Sequence, residues 1–136
     1  VISFYVPGQP QTKGSARAFV VRGRAVITND NAKTKSWAGV VTSFALEASP
    51  TPIPGPVRVT LRFDLTRPKA HSTKRGLRLD APTYVSKKPD ADKLARACLD
   101  ALTSVCFLDD AQVARLVVEK RYAETPGVLV EVAPLV

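Results

Sequence analysis

Apolar and polar positions alternate most clearly over Val57 to Leu65 (VRVTLRFDL), the period-two signature of a half-buried strand. Ile2 to Val6 (ISFYV) reads as another strand, stopped by Pro7-Gly8. Gly8 to Ala16 is a polar loop, and Ala18 to Thr28 reads as a hairpin turning at Arg22-Gly23-Arg24. The period then changes. Trp37, Val40, Val41, Phe44 and Ala48 recur at steps of three and four, predicting a helix over Ala32 to Ala48 after the capping cluster Thr28-Asn29-Asp30-Asn31. Four prolines and a glycine between Ser49 and Pro56 forbid its continuation.

A second helix is predicted over Asp90 to Thr103, with Leu94, Cys98, Leu99 and Leu102 on one stripe. Ala114 to Tyr122 and Val128 to Val132 read as closing strands around a turn at Thr125-Pro126-Gly127. Thr66 to Pro89 carries no clear period and is either a functional loop or a disordered one. The order of elements predicts one α+β domain over residues 1–136, a mixed or antiparallel sheet with two main helices packed on one face.

Charge narrows the class of partner. Twenty Lys and Arg against twelve Asp and Glu give +8, a surplus that favours a polyanion such as nucleic acid over an inert basic surface. Cys98 and Cys106 make neither a disulfide framework nor a zinc pattern, which predicts a reducing, cytoplasmic setting. No apolar run reaches transmembrane length and no signal-peptide pattern opens the chain, so no membrane partner is expected.

The candidate chemistry lies in KPDADKLARACLDALTSVCFLDDAQV, Lys88 to Val113. Asp90 and Asp92 flank the start of the second helix, and Asp109-Asp110 lies beyond its end. One reading is structural: Asp90 as an N-cap, Asp92 favouring the helix dipole, and Asp109-Asp110 as a turn. The other is a divalent-metal site, since Mg²⁺ takes a few carboxylates plus substrate phosphates and phosphodiester hydrolysis needs such an ion. The helix carries the chain out by about 18 Å, and an extended Ser104 to Asp110 returns over about 20 Å, so the acids are able to meet. Arg96 and Asp100 follow Asp92 at steps of four, either as surface ion pairs or with Arg96 beside the scissile phosphate. Arg96 is too basic for a general acid.

These residues resemble the RusA family of Holliday-junction resolvases. The run KPDADKLARACLDAL followed by FLDDAQV is similar to that family's K-P-D-x-D-N-L-x-K-x-x-x-D-A-L and D-D-x-x-V. Val6-Pro7-Gly8-Gln9-Pro10, then Lys13 and Arg17, resembles its P-G-x-P followed by basic residues, and the likeness is weakest over Leu65 to Lys87. The resemblance implies a RusA-like, homodimeric endodeoxyribonuclease dependent on Mg²⁺ or Mn²⁺. It would act on branched DNA, nicking four-way junctions in symmetric pairs during recombination, repair or phage DNA processing. It assigns the metal to Asp90, Asp92 and Asp110 and places Arg96 at a functional lysine's position. Two departures stand out: Lys93 replaces the usual Asn, and Arg96 the usual Lys. Lys13, Arg17, Arg67, Lys69, Lys74, Arg75, Lys87, Lys88 and Lys93 are the candidate DNA contacts. Rival readings are another structure-selective or nonspecific nuclease, or a non-catalytic DNA-binding protein on the same scaffold.

Overall fold

The computed structural model describes residues 1–12, 16–21, 24–29 and 32–136, with side-chain detail for 1–12 and 37–136. The main sheet holds β1 (Ile2–Pro7), β8 (Gly127–Pro134), β4 (Val57–Thr66) and β7 (Val113–Ala123), side by side in that order. The β1–β8 and β8–β4 pairs are antiparallel and β4–β7 is parallel, so the sheet is mixed. β2 (Ala16–Val21) and β3 (Arg24–Asn29) pair separately as the expected hairpin. Helix α1 spans Ala32–Ala48 and helix α2 spans Ala91–Leu102.

Alternation along β4 decides which face is covered. Val57, Val59, Leu61 and Phe63 are fully buried, whereas Arg58, Thr60 and Arg62 between them are half-buried. The inward residues join Val128, Val130 and Val132 of β8 in one apolar cluster with both helices. α2 fits there because its inner face is small: Leu94, Cys98 and Leu102 fill the core while Ala95, Ala97 and Ala101 let the backbone approach. α1 contributes Trp37, Val41 and Ala45. Gly8 holds a left-handed φ of +121° beneath the Trp37 ring, a conformation an L side chain rarely adopts.

A parallel β4–β7 pair requires a crossover, and α2 provides it. The helix ends where the Thr103 hydroxyl donates to the Leu99 carbonyl and Ser104 turns left-handed at φ 72°. Fully buried Phe107 then anchors the return.

The segment without sequence period is ordered by local devices. β5 (Ser72–Thr73) and β6 (Gly76–Leu77) form a miniature hairpin. Arg67 donates to the Pro82 carbonyl at 2.6 Å and stacks over Tyr122 at 5.1 Å, with His71 edge-on to the same ring. Such contacts join residues far apart in sequence, so no periodicity announces them. Among the described residues no helix is long and apolar enough to cross a membrane.

Cys98 is fully buried, and burial pushes its thiol up to about 12 from 9.0. The raised value favours the neutral thiol, so this contribution to stability is present below about pH 9 and lost as pH climbs toward 12. Native protein at pH 8 is therefore expected to resist a thiol reagent at Cys98 until denaturant is added, as labelling followed by peptide mass mapping would show. Fast stoichiometric labelling of the native state at Cys98 would contradict the packing.

Candidate active site

Two elements carry acids into one open cleft. α2 supplies Asp92, Arg96 and Asp100 from its outer face, and the 3₁₀ turn Asp110–Gln112 that leads into β7 supplies Asp110. Ala91, Ala95, Leu99, Leu116 and Val118 complete the lining. The steps of four between Asp92, Arg96 and Asp100 put all three on the wall facing Asp110. Three carboxylates and one guanidinium thus line the cleft against an apolar strand wall, and carboxylate oxygens are the ligand type that Mg²⁺ or Mn²⁺ accepts.

The adjacent acids Asp109 and Asp110 have different duties. Asp109 is the N-cap: its carboxylate accepts from the Ala111 N–H at 2.9 Å. Gln112 closes the capping box, its Oε1 accepting from the Leu108 and Asp109 N–H groups at 2.9 and 3.0 Å. The Gln112 amide also donates to the Ile53 and Gly55 carbonyls at 2.9 and 2.8 Å. One glutamine thus ties the turn to the loop before β4, and Asp110 is left facing the cleft. The turn reading of the Asp109-Asp110 pair holds for Asp109.

Asp90 departs from the capping expectation. It occupies the N-cap position of α2, but its side chain makes no capping bond. Its Oδ2 lies 3.4 Å from Lys93 Nζ, both side chains well exposed. Asp90 does not line the cleft, and among the described residues no three acids, histidines or cysteines stand close enough to form a ready-made metal cage. Asp92, Asp100 and Asp110 therefore share the cleft, while Asp90 stands outside its lining as the residue before the helix.

The approach to Asp90 is fixed from beneath. Lys120, on the same side of β7 as Leu116 and Val118, donates through Nζ to the carbonyls of Lys87 and Pro89, each at 2.8 Å. Backbone bonds from Val85 to Lys120 and from Tyr122 to Thr83 extend this seam. The sequence signalled only a lysine near a strand's end; its grip on the preceding loop is a tertiary contact.

The candidate DNA contacts fall into groups. Lys69, Lys74, Arg75, Lys87, Lys88 and Lys93 are exposed. Arg67 is half-buried and engaged with Pro82, His71 and Tyr122, so its first duty is to hold the loop. Arg17 lies on β2, and Lys13 lies outside the described residues.

The sequence model of the family "Endodeoxyribonuclease RusA" matches residues 7–133. The chain is also similar to the uncharacterized protein YqaN of Bacillus subtilis (strain 168), 33 % identical over 131 residues that take in 93 % of this chain and 92 % of that protein.

Proposed function

The chain belongs to the RusA family of endodeoxyribonucleases, and from that premise we propose that it resolves four-way DNA junctions by metal-dependent paired nicks. The observation that carries this reading is the convergence of Asp92, Arg96, Asp100 and Asp110, from two elements, on one open cleft.

Asp92 and Asp110 would hold the ion, with Asp90 joining them from the helix entrance. When bound, Mg²⁺ or Mn²⁺ supplies Lewis-acid neutralisation of charge on the phosphate oxygens and acidifies water. The side chains do the rest. Arg96 donates N–H groups to a phosphate oxygen and offsets part of the charge that grows during displacement. Asp100, one turn further along, adds a third carboxylate to the cleft wall beside Arg96. Leu116 and Val118 give that wall an apolar surface that limits water. A proton lost from the attacking water would leave through a carboxylate or solvent. The exposed cations Lys69, Lys74, Arg75, Lys87 and Lys88 offset the acid charge as DNA approaches. A two-fold homodimer matches the two symmetric cutting points of a junction.

Cleavage of a labelled synthetic four-way junction beside matched linear duplex, with Mg²⁺ and then with EDTA, tests the reading. Paired symmetric nicks in the junction alone, abolished by EDTA, support it. Cleavage of both substrates alike makes the protein a less selective nuclease, and binding without cleavage under any divalent ion overturns it.

Lys93 stands where the family has Asn, and it pairs with Asp90. An exposed pair of this kind contributes little to stability but competes for the carboxylate. Lys93→Asn is expected to lower the Mg²⁺ concentration for half-maximal cleavage a few-fold, with a small change in thermal midpoint. A rise in that concentration would assign Lys93 to the DNA instead.

A further inference from the structure

Asp64 is the one charged residue that is buried among those described, 5 % exposed, and the acid cleft does not use it. It lies on the sheet face opposite the helices, in the alternation Arg58, Thr60, Arg62, Asp64. Four donor atoms from three side chains converge on it. The Tyr5 hydroxyl donates to Oδ2 at 3.1 Å, Arg62 donates to Oδ1 and Oδ2 at 3.2 and 3.3 Å, and Arg121 donates to Oδ1 at 3.2 Å. Four strands contribute. Tyr5 on β1 reaches Asp64 on β4 across β8, where a Cβ at Gly127 would overlap the tyrosine ring and hydroxyl. Burial and the bond to Asp64 push the Tyr5 phenol above its ordinary value.

Stability alone does not account for the charge. Two guanidinium groups share one carboxylate oxygen, which leaves this Arg–Asp–Arg cluster with about one net positive charge. A guanidinium carries five N–H donors. The bonds to Asp64 take Nε of Arg121 and Nε and Nη2 of Arg62, leaving Nη1 of Arg62 and both Nη groups of Arg121 without a partner among the described residues. The carboxylate thus aligns two forks side by side, which saves the ordering cost of holding them for a ligand. Beside them stands an aromatic ring. Tyr84 is bridged antiparallel to Arg121, so both side chains project from the same face, and Tyr84 is 61 % exposed.

We propose that Arg62 and Arg121, aligned by Asp64, form a second DNA site for a backbone phosphodiester, with Tyr84 stacking on an adjacent base lifted out of its duplex. The proposal rests on the nuclease reading and adds a subsite on the other face of the sheet. Arg121 lies three residues past cleft-lining Val118, about 10 Å along the strand. Fork and ring together suit a phosphate next to an unstacked nucleotide, as at a branch point, better than continuous duplex.

The test is fluorescence anisotropy on a synthetic four-way junction, a matched duplex and an oligothymidine, in EDTA, over a salt series. Two variants are compared with the wild type: Asp64→Asn combined with Arg121→Gln, which strands no buried charge, and Tyr84→Leu. The double variant is expected to weaken junction binding about tenfold and reduce the log–log salt slope by about one. Tyr84→Leu is expected to keep the slope and weaken junction and oligothymidine binding about tenfold, with duplex binding little changed. Wild-type affinity and slope in folded variants overturn the subsite while leaving the nuclease reading intact. A wild type that binds none of the three DNAs overturns the nuclease reading itself. Tyr84 is exposed, so its variant decides the matter even if the double variant does not fold.

Discussion

Asp110→Asn is expected to reduce junction cleavage at least about a thousandfold, whereas removing its neighbour with Asp109→Ala should leave most of the activity. The first figure follows from the several kcal/mol of charge stabilisation a catalytic ion provides, at about 1.4 kcal/mol per tenfold. Asparagine keeps the shape of the turn but offers a poor ligand, so folding and DNA binding should persist. Binding should even tighten, because one negative charge leaves the approach of the phosphates. Asp109→Ala acts differently. It removes the acceptor of the Ala111 N–H, a cap worth about 1 kcal/mol, or roughly 3 °C in thermal midpoint for a chain of this size. Gln112 still ties the turn to Ile53 and Gly55, so Asp110 keeps its place. Single-turnover cleavage and thermal unfolding of both variants give the comparison. Equal loss of cleavage in the two would deny the division of labour between these acids.

The resemblance already set Asp110 apart from Asp109, but the cap and the Gln112 tie behind that division were not legible in the sequence, although much else was. Periodicity located α1 at Ala32–Ala48 and α2 to within a residue or two of Ala91–Leu102, because apolar spacing reports directly on a buried face. Alternation located β4 for the same reason. The parallel β4–β7 pairing was hidden, since an edge strand's partner is a property of topology and not of its own pattern. Residues 66–89 looked featureless because their order comes from Arg67, His71 and Tyr122, spread over more than fifty positions.

The site shows the same limit. Step-of-four spacing correctly put Asp92, Arg96 and Asp100 on one wall, since helix geometry alone fixes it. Reach allowed Asp110 to arrive, and the structure brings it there. Asp90 read as a ligand that could also cap the helix, and in the structure its carboxylate turns to Lys93 and not to the helix N–H groups. Asp64, Arg62, Arg121 and Tyr84 gave no sequence signal, because they meet across strands far apart in the chain.

Lys120→Met is the second substitution with a large expected effect, and it separates positioning from stability. The ammonium bridges the carbonyls of Lys87 and Pro89 at 2.8 Å each, next to the residue that begins the acid run. Methionine has a similar length and no donors. Losing two charge-assisted bonds that are partly open to water should cost about 2 kcal/mol, lowering the thermal midpoint by roughly 6 °C. If Lys120 only braced the fold, protein assayed well below that midpoint would need no extra metal. As a positioning residue it sets where Asp90 and Asp92 stand relative to Asp110, and loss of such an outer support typically costs 10–100-fold in metal affinity or activity. The expected result is a Mg²⁺ midpoint for cleavage raised about tenfold or more, matched by weaker Mn²⁺ binding measured without DNA. Junction affinity in EDTA should change little, since Lys120 faces carbonyls and not the solvent-exposed phosphate path. Lys120→Arg keeps the charge and should recover part of the metal affinity, its wider fork fitting two point contacts less well. A lowered thermal midpoint with an unchanged metal midpoint in both assays would reduce Lys120 to a brace.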